Sequence, residues 1–476
     1  GAPAAGVGRD PESPDDRGRR GGPAGSSVMW YLLYNSLLLL VSPIILGVLL
    51  AKQRCRRGLP QRLGLRPLTP PSDSSISSTC IWIHAVSLGE VVAVAPLVRE
   101  LRRRYPDARL VVTTVTETGR EAVEQRLEGV AEHRYAPLDF PWVVNQAIDQ
   151  LQPNLYVFVE TELWPNLLRS LWRRRIPSVL VNGRLSTRSF ERQRLPIVRG
   201  FYRTMLNRIS RCLMQSQRDA QRMIDLGADP ARVTCTGNIK FDQPVPQATA
   251  GGVMVSKQAL GFTEREQLLV AGSTHSGEEE AIVSAYQSLC GTFPDLRLVL
   301  APRHIERAAQ VEQMVAAKGM SVARRSMGSG AGAGPQVLVL DTRGELALLY
   351  REAVVAFVGG TLVPVGGHNL LEPAVWGKPV LFGPHTDHCA EVAALLLHAQ
   401  GGRIVPDADA LAQGLRDLLS DAATLNRMGQ AARQVVADNQ GALQRSAEII
   451  ATLLSTQPIS TERDGALHLG RASRHS

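Results

Sequence analysis

Short runs that are apolar on both faces, each separated from the next by a stretch with helical spacing, constrain this chain more than anything else in it. The first set is Ile81–His84, Leu110–Thr114, Leu155–Glu160, Ser178–Asn182, Cys212–Gln215 and Val233–Thr236, with helical patterns at Val91–Arg104, Leu163–Arg174 and Gln217–Leu226. A strand without polar alternation is covered on both faces, and strands joined through helices run parallel. The pattern pauses at FDQPVPQATAGG, Phe241–Gly252, and resumes with Leu268–Ser273, Leu296–Ala301, Val337–Leu340, Val354–Val358, Val380–Phe382 and Arg403–Val405. Two more helical patterns follow, near Ala408–Leu419 and Ala423–Leu454, and the Gly/Ser stretch Met327–Gly334 reads as a flexible loop. A chain of 476 residues is too long for one ordinary core. The spacing therefore predicts an α/β protein with two successive doubly wound, Rossmann-like domains over 80–240 and 256–455, facing a cleft and joined by a linker over 241–255. In such sheets ligands sit at the carboxyl ends of the strands, so chemistry is expected in strand-to-helix loops.

The ends read differently. Residues 1–28 are rich in Gly, Pro and Ala and cannot bury enough apolar surface to offset the cost of ordering, so they are expected to be a disordered extension. Asp10, Glu12, Asp15 and Asp16 argue against a transit peptide. Met29 is the first methionine and the expected natural start, which the mass of the native N-terminus would test. Met29–Leu50 then runs 22 residues without a formal charge, long enough to cross a hydrocarbon core of ~30 Å. It predicts a single membrane anchor, a spanning helix by preference, although Pro43 and the leading Trp and Tyr also permit shallow interfacial insertion. The basic cluster Lys52, Arg54, Arg56, Arg57 and Arg62 opens a segment and linker over 51–79 and places the main body on the cytoplasmic side. Residues 456–476 read as a polar tail.

The net charge is +9, carried almost wholly by arginine, since the chain has only five lysines. That surplus implies phosphate-bearing partners. The segment Arg188–Arg211 interleaves arginines with Phe190, Ile197, Phe201, Tyr202 and Leu206, as an amphipathic helix whose basic face is either solvated or rests on anionic lipid. No aromatic stacking platform or known module points to nucleic acid. Six cysteines without a CxxC pair fit a reducing compartment.

Four loops carry chemistry. In HAVSLGEVVAVAPLVREL, Glu90 stands in front of an apolar helical run, where the helix field stabilises a carboxylate and holds it ionised at neutral pH. Ser87 and Gly89 allow the tight turn that would present it, and Pro96 predicts a kink or a later helix start. In VFVETELWPNLL, Glu160 and Glu162 end an apolar strand, one acid more than capping needs. In TGNIKFD, Lys240 can neutralise an anionic substrate, or else is a solvated hinge lysine. In Phe357–His388, two Gly-Gly pairs precede a helix start at Asn369 with Glu372 behind it, a candidate phosphate site with a carboxylate for ribose hydroxyls. The spacing fits neither the dinucleotide nor the P-loop pattern. Arg303 in APRH is a nucleotide candidate, GSTHSGEEE (Gly272–Glu280) is a helix-start sequence facing the same cleft, and His385, Asp387, His388 and Cys389 lack the spacing of a zinc site.

With these loops identified, the chain resembles the 3-deoxy-D-manno-octulosonic acid (Kdo) transferases of lipopolysaccharide synthesis. The matching strings are IHAVSLGEVVAVAPLVREL, VTTVTETG, ETELWPNLL, NGRLSTRS, GNIKFD, GSTHSGEEE, PRHIER, DTRGELALLY and AFVGGTLVPVGGHNLLEPAVWGKPVLFGPHT, collinear from Ile81 to Val405. The resemblance implies a two-domain GT-B glycosyltransferase at the inner membrane, its catalytic domains cytoplasmic. It would move Kdo from CMP-Kdo to the tetraacylated lipid A precursor, lipid IVA, without a metal or other cofactor. Glu90 falls on the family's general base, and Glu160 and Lys240 on its transition-state stabilisers. The CMP contacts fall on Pro302, Arg303, Arg343, Gly344, Glu345, Asn369, Leu370, Leu371 and Glu372. The chain departs from the usual motifs with Arg343–Gly344–Glu345 for Met-Gly-Glu, Leu370–Leu371 for Pro-Leu, and His388 for Asn. Another GT-B transferase with a different nucleotide sugar, or a non-catalytic lipid-binding protein on the same fold, are the alternatives.

Overall fold

The computed structural model describes residues 24–51, 57–66, 79–243, 255–328 and 334–456. The chain divides into two compact units, one running to Gly237 and including Leu443 onward, the other Asn238–Ala442.

The first unit is built on a parallel sheet in the order β3-β2-β1-β4-β5-β6-β7. Its strands are β1 (Cys80–His84), β2 (Arg109–Thr114), β3 (Glu132–Tyr135), β4 (Leu155–Val159), β5 (Ser178–Gly183), β6 (Arg211–Met214) and β7 (Val233–Cys235). β1 and β4 are buried along their whole length and pair directly, with Phe158 level with His84. The second unit repeats the plan in the order β10-β11-β9-β8-β12-β13-β14. Here the strands are β8 (Gln267–Thr274), β9 (Leu296–Pro302), β10 (Val322–Arg324), β11 (Val337–Val339), β12 (Ala353–Val358), β13 (Val380–Phe382) and β14 (Gly402–Ile404). The order reverses direction at β1/β4 and at β8/β12, the switch points where ligands bind in such sheets.

Several boundaries differ from expectation. Lys240 belongs to the second unit, because Ile239 and Phe241 are buried and Phe241 packs with Val358, Leu370 and Phe382. The chain therefore passes into the second unit at Gly237–Asn238, ahead of the linker expected from Phe241; residues 244–254 lie outside the described residues. The single pattern Ala423–Leu454 is two helices, Ala422–Asn439 and Ala442–Ser455, broken at Gly441, whose φ of 92° no other residue type adopts cheaply. The last helix packs on the first unit: the Arg445 guanidinium donates to the Thr236 carbonyl at 2.7 and 2.9 Å, and Arg104 to Gln444 at 3.0 Å. Pro96 does not delay its helix, which starts at Leu88 and continues through Pro96 to Arg104.

The N-terminal helix, Ala24–Ala51, starts inside the stretch expected to be disordered, and its first turns are docked rather than free. Tyr31 is buried between the guanidinium groups of Arg169 and Arg208, 4.4 and 4.5 Å from its ring. Tyr34 donates to Asp139, Asn35 and Asn166 exchange amide hydrogen bonds, and Phe201 stands against Trp30, Tyr31 and Tyr34. Burial pushes the Asp139 carboxyl up to about 7 despite the N–H groups of Asn166 and Leu167 that it accepts. The expected basic linker is also partly built in: Arg62 is buried against the Tyr135 ring, and Leu138 N–H donates to its carbonyl. The Arg188–Arg211 segment is two helices, Thr187–Gln193 and Pro196–Leu206, with Phe190 and Leu206 turned to the core.

Candidate active site

In the first unit the chain leaves β1 through Ala85–Ser87 and enters the Leu88–Arg104 helix with Ser87 as N-cap. Glu90, in the first turn, is only 8% exposed. Its Oε2 accepts the Val86 N–H at 2.8 Å and its Oε1 the Ser87 hydroxyl at 3.2 Å. The helix end does not hold this carboxylate fully ionised, as the sequence had led us to expect. Burial pushes it up to about 7, and the charges of Glu160 and Glu162 add to the rise against the two hydrogen bonds. Desolvation therefore outweighs the helix field. Nor is Gly89 needed for a tight turn: it sits in the helix without positive φ, and an added Cβ would approach nothing closer than Ser87 Oγ at 3.9 Å.

Glu160 follows β4, the strand next to β1, and holds a left-handed φ of 57°. Strained non-glycine backbone of this kind concentrates at functional sites, since it persists only where the surroundings enforce it. Glu162 is half-buried, and burial followed by the Glu160 charge raises its pKa. The structure thus brings Glu90 and Glu160 together at one strand edge and adds Glu162, which the ETE string offered but the inferred roles passed over. His84, one strand end away, is buried and pushed down to about 4 by desolvation, so it is neutral. Thr113 Oγ1 accepts from Trp82 Nε1 and lies 3.0 Å from His84 Nδ1, while His84 Nε2 has no hydrogen-bond partner among the described residues.

In the second unit Pro302, Arg303, Arg343 and Gly344 line one cavity of about 370 Å³ at the carboxyl edge, together with Ser273 and His304. Glu345 is turned away from it and pairs with Arg325 at 3.0 Å. Asn369 and Glu372 bond to one another at 3.3 Å, and Asn369 Oδ1 caps the Leu371 N–H at 3.1 Å. Leu370 and Leu371 are buried in the cluster that holds Phe241, so the Lys240 turn and the 369–372 turn share one support.

The Gly-rich loop is not the open phosphate cradle expected. The N–H groups of Gly360, Thr361 and Leu362 donate to the fully buried Glu278 at 2.7, 2.9 and 2.8 Å, and His275 N–H adds a fourth bond at 2.9 Å. An internal carboxylate fills that nest. Ser276 does not cap the GSTHSGEEE helix either; the N-cap is Gly277, and Glu279 goes to Arg307. Two groups that sequence reasoning missed are His275 and His368, whose Nε2 atoms lie 2.8 Å apart with the rings 2° from parallel. Such a contact holds one shared proton, and burial lowers the pKa of both, that of His368 to about 4. The motif letters carried both residues, but only the fold brings the ends of β8 and β12 together. His388 packs its ring on Gly366, where an added Cβ would lie 2.8 Å from Nδ1. Among the described residues no group of three or more His, Cys, Asp or Glu is arranged to hold a metal ion.

Comparison with known proteins agrees with both halves of this picture. The family profile described as "3-Deoxy-D-manno-octulosonic-acid transferase (kdotransferase)" matches residues 57–243. A 3-deoxy-D-manno-octulosonic acid transferase of Haemophilus influenzae is 37% identical over 429 residues, 89% of this chain and 98% of that protein. One from Bordetella pertussis is 34% identical over 78% of this chain and 86% of its own length. Among solved structures, the UDP-GlcNAc 2-epimerase of Neisseria meningitidis superposes with a TM-score of 0.55 at 12% identity, over 80% of this chain and all of that one. A putative UDP-N-acetylglucosamine 2-epimerase from Listeria monocytogenes gives 0.54 at 16%, over 80% and 98%. These likenesses establish the two-domain GT-B fold. With the long match to the transferases, the conclusion is direct: the chain belongs to the 3-deoxy-D-manno-octulosonic acid transferases and is a glycosyltransferase.

Proposed function

We propose that this protein transfers Kdo with inversion from CMP-Kdo to lipid IVA in lipopolysaccharide synthesis, at the cytoplasmic face of the inner membrane and without a metal. The observation that carries the reading is Glu90: a buried carboxylate with a pKa near neutrality, at a strand edge, in a chain of this family. The acceptor hydroxyl has a pKa far above 7 and must lose its proton as it attacks, which a positioned base tuned near the working pH does best. Departure of CMP develops positive charge on the sugar and negative charge on the phosphate. Glu160 and its neighbour Glu162 suit the first, and Lys240 and Arg303 the second. The donor has one phosphate, so two such cations are enough to offset its charge. Asn369 and Glu372 suit hydroxyls of the ribose.

Detergent-solubilised protein given CMP-Kdo and lipid IVA should yield the Kdo-bearing acceptor by mass, and NMR of the isolated product should show the opposite anomeric configuration from the donor. Product formed only from a UDP-sugar would transfer the assignment to another GT-B activity. Arg303→Ala should weaken CMP binding by about 10–100-fold in calorimetry, the worth of one hydrogen bond to a charged group. Unchanged binding would remove Arg303 from the nucleotide site.

A further inference from the structure

We propose that the N-terminal helix lies in the membrane interface and does not cross the bilayer. This rests on the reading that the protein is membrane-bound; the topology is what the structure adds. On one side of the helix Tyr31 is buried and Tyr34 and Asn35 are half-buried against the first unit. On the other side Leu33, Leu37, Leu40 and Ile44 are 59%, 56%, 75% and 67% exposed. Leu39, Leu46 and Leu50, at 54%, 38% and 46%, are exposed as well, so beyond Asn35 the helix presents apolar surface on every face.

Length excludes a crossing. Asn35 is fixed to Asn166 in the main body, and from there to Ala51 the helix rises only about 24 Å, short of a hydrocarbon core of about 30 Å. The chain is fixed again directly afterwards. Arg57 pairs with Glu117 at 3.6 Å and Arg62 is buried against Tyr135, both on the same unit that holds Asn35. Six residue steps separate Ala51 from Arg57, about 21 Å at full extension, and the sequence between is Lys-Gln-Arg-Cys-Arg. Three cations within five residues do not return through hydrocarbon. Both ends of the helix are thus tied to one body, which a helix lying along the interface allows, its exposed leucines sunk about 5–10 Å among the headgroups and acyl chains. The surroundings suit anionic lipid: Gly200, where an added Cβ would lie 3.3 Å from the Trp30 indole, lines a cavity of about 730 Å³ with Arg194, Arg199 and Arg203.

The test uses the full chain on sealed phosphatidylethanolamine/phosphatidylglycerol vesicles, with Met29→Cys and Ala51→Cys at the two ends of the exposed helix and, as a marker of the main body, Glu128→Cys. A membrane-impermeant maleimide is added outside, and the label at each cysteine is read by mass. Met29→Cys and Ala51→Cys should both be labelled from the side that labels Glu128→Cys. Labelling of either end only after the vesicles are opened overturns the interfacial topology while leaving membrane binding intact. Failure of the chain to sediment with the vesicles overturns both. Val28→Cys and the native Cys55 repeat the readings at the two ends, so a folding defect in one variant leaves the question decided.

Discussion

Glu90→Gln should lower turnover by about 10²–10⁴-fold while CMP binding stays at the wild-type level, the usual loss when a positioned base is removed. Glutamine keeps the shape and one acceptor oxygen for the Val86 N–H, so the change removes proton transfer and little else. In the wild-type protein kcat/KM should rise with pH to a limb near pH 7, because burial and the neighbouring Glu160 and Glu162 set that pKa, and the base works only when deprotonated. The variant should lose that limb. Stability should move the other way. The folded-state pKa lies above the ordinary carboxylate value of 4.5, so the folded protein retains a proton the unfolded chain has lost. The contribution is fully present below about 4.5 and is lost as pH rises through about 7. Glu90→Gln should therefore match wild type near pH 5 and be more stable by about 1–3 kcal/mol at pH 8. A variant less stable at pH 8 would mean that Glu90 is a structural cap.

Glu278→Ala should be the most damaging change in the second unit, costing at least about 3 kcal/mol and abolishing CMP binding. Four backbone N–H groups converge on this carboxylate in a fully buried site. Removing it leaves them without acceptors, each a desolvation penalty of about 1–3 kcal/mol, although neighbours relax and the sum is not additive. The loop they belong to carries His368, which the shared proton ties to His275. Glu278→Gln should cost less than the alanine change and retain weakened CMP binding, because one amide oxygen still accepts. Chemical denaturation and calorimetry on both variants check this. Equal stability of Glu278→Ala and wild type would refute the internal-anion account of the Gly-rich loop.

The sequence made the core strands readable because each is apolar on both faces. The strands it did not betray, β3 (EHRY) and β10 (VAR), stand at sheet edges, where one flank needs no apolar cover. Candidate residues were legible as motif letters, and Pro302, Arg303, Arg343 and Gly344 do meet in one cavity. What could not be read was competition for a shared group. The N–H groups of Gly360, Thr361 and Leu362, which look ready for phosphate, are already bonded to Glu278, and Glu345 is taken by Arg325. Protonation was misjudged for the same reason: a helix start is visible in sequence, whereas the depth at which Glu90 is buried is a property of the whole unit. The N-terminal run was recognisable as apolar, but its docking depends on Arg169, Arg208 and Asn166, more than a hundred residues away.

Proton removal by Glu90 during Kdo transfer is tested most directly by the pH dependence of Kdo addition to lipid IVA, measured by acceptor mass for wild type and Glu90→Gln side by side. Transfer by the wild type that rises to a plateau through about pH 7, with near-abolished and pH-insensitive transfer by the variant, is the predicted result. Wild-type rates in the variant, or a wild-type limb that persists unchanged in it, would contradict the account.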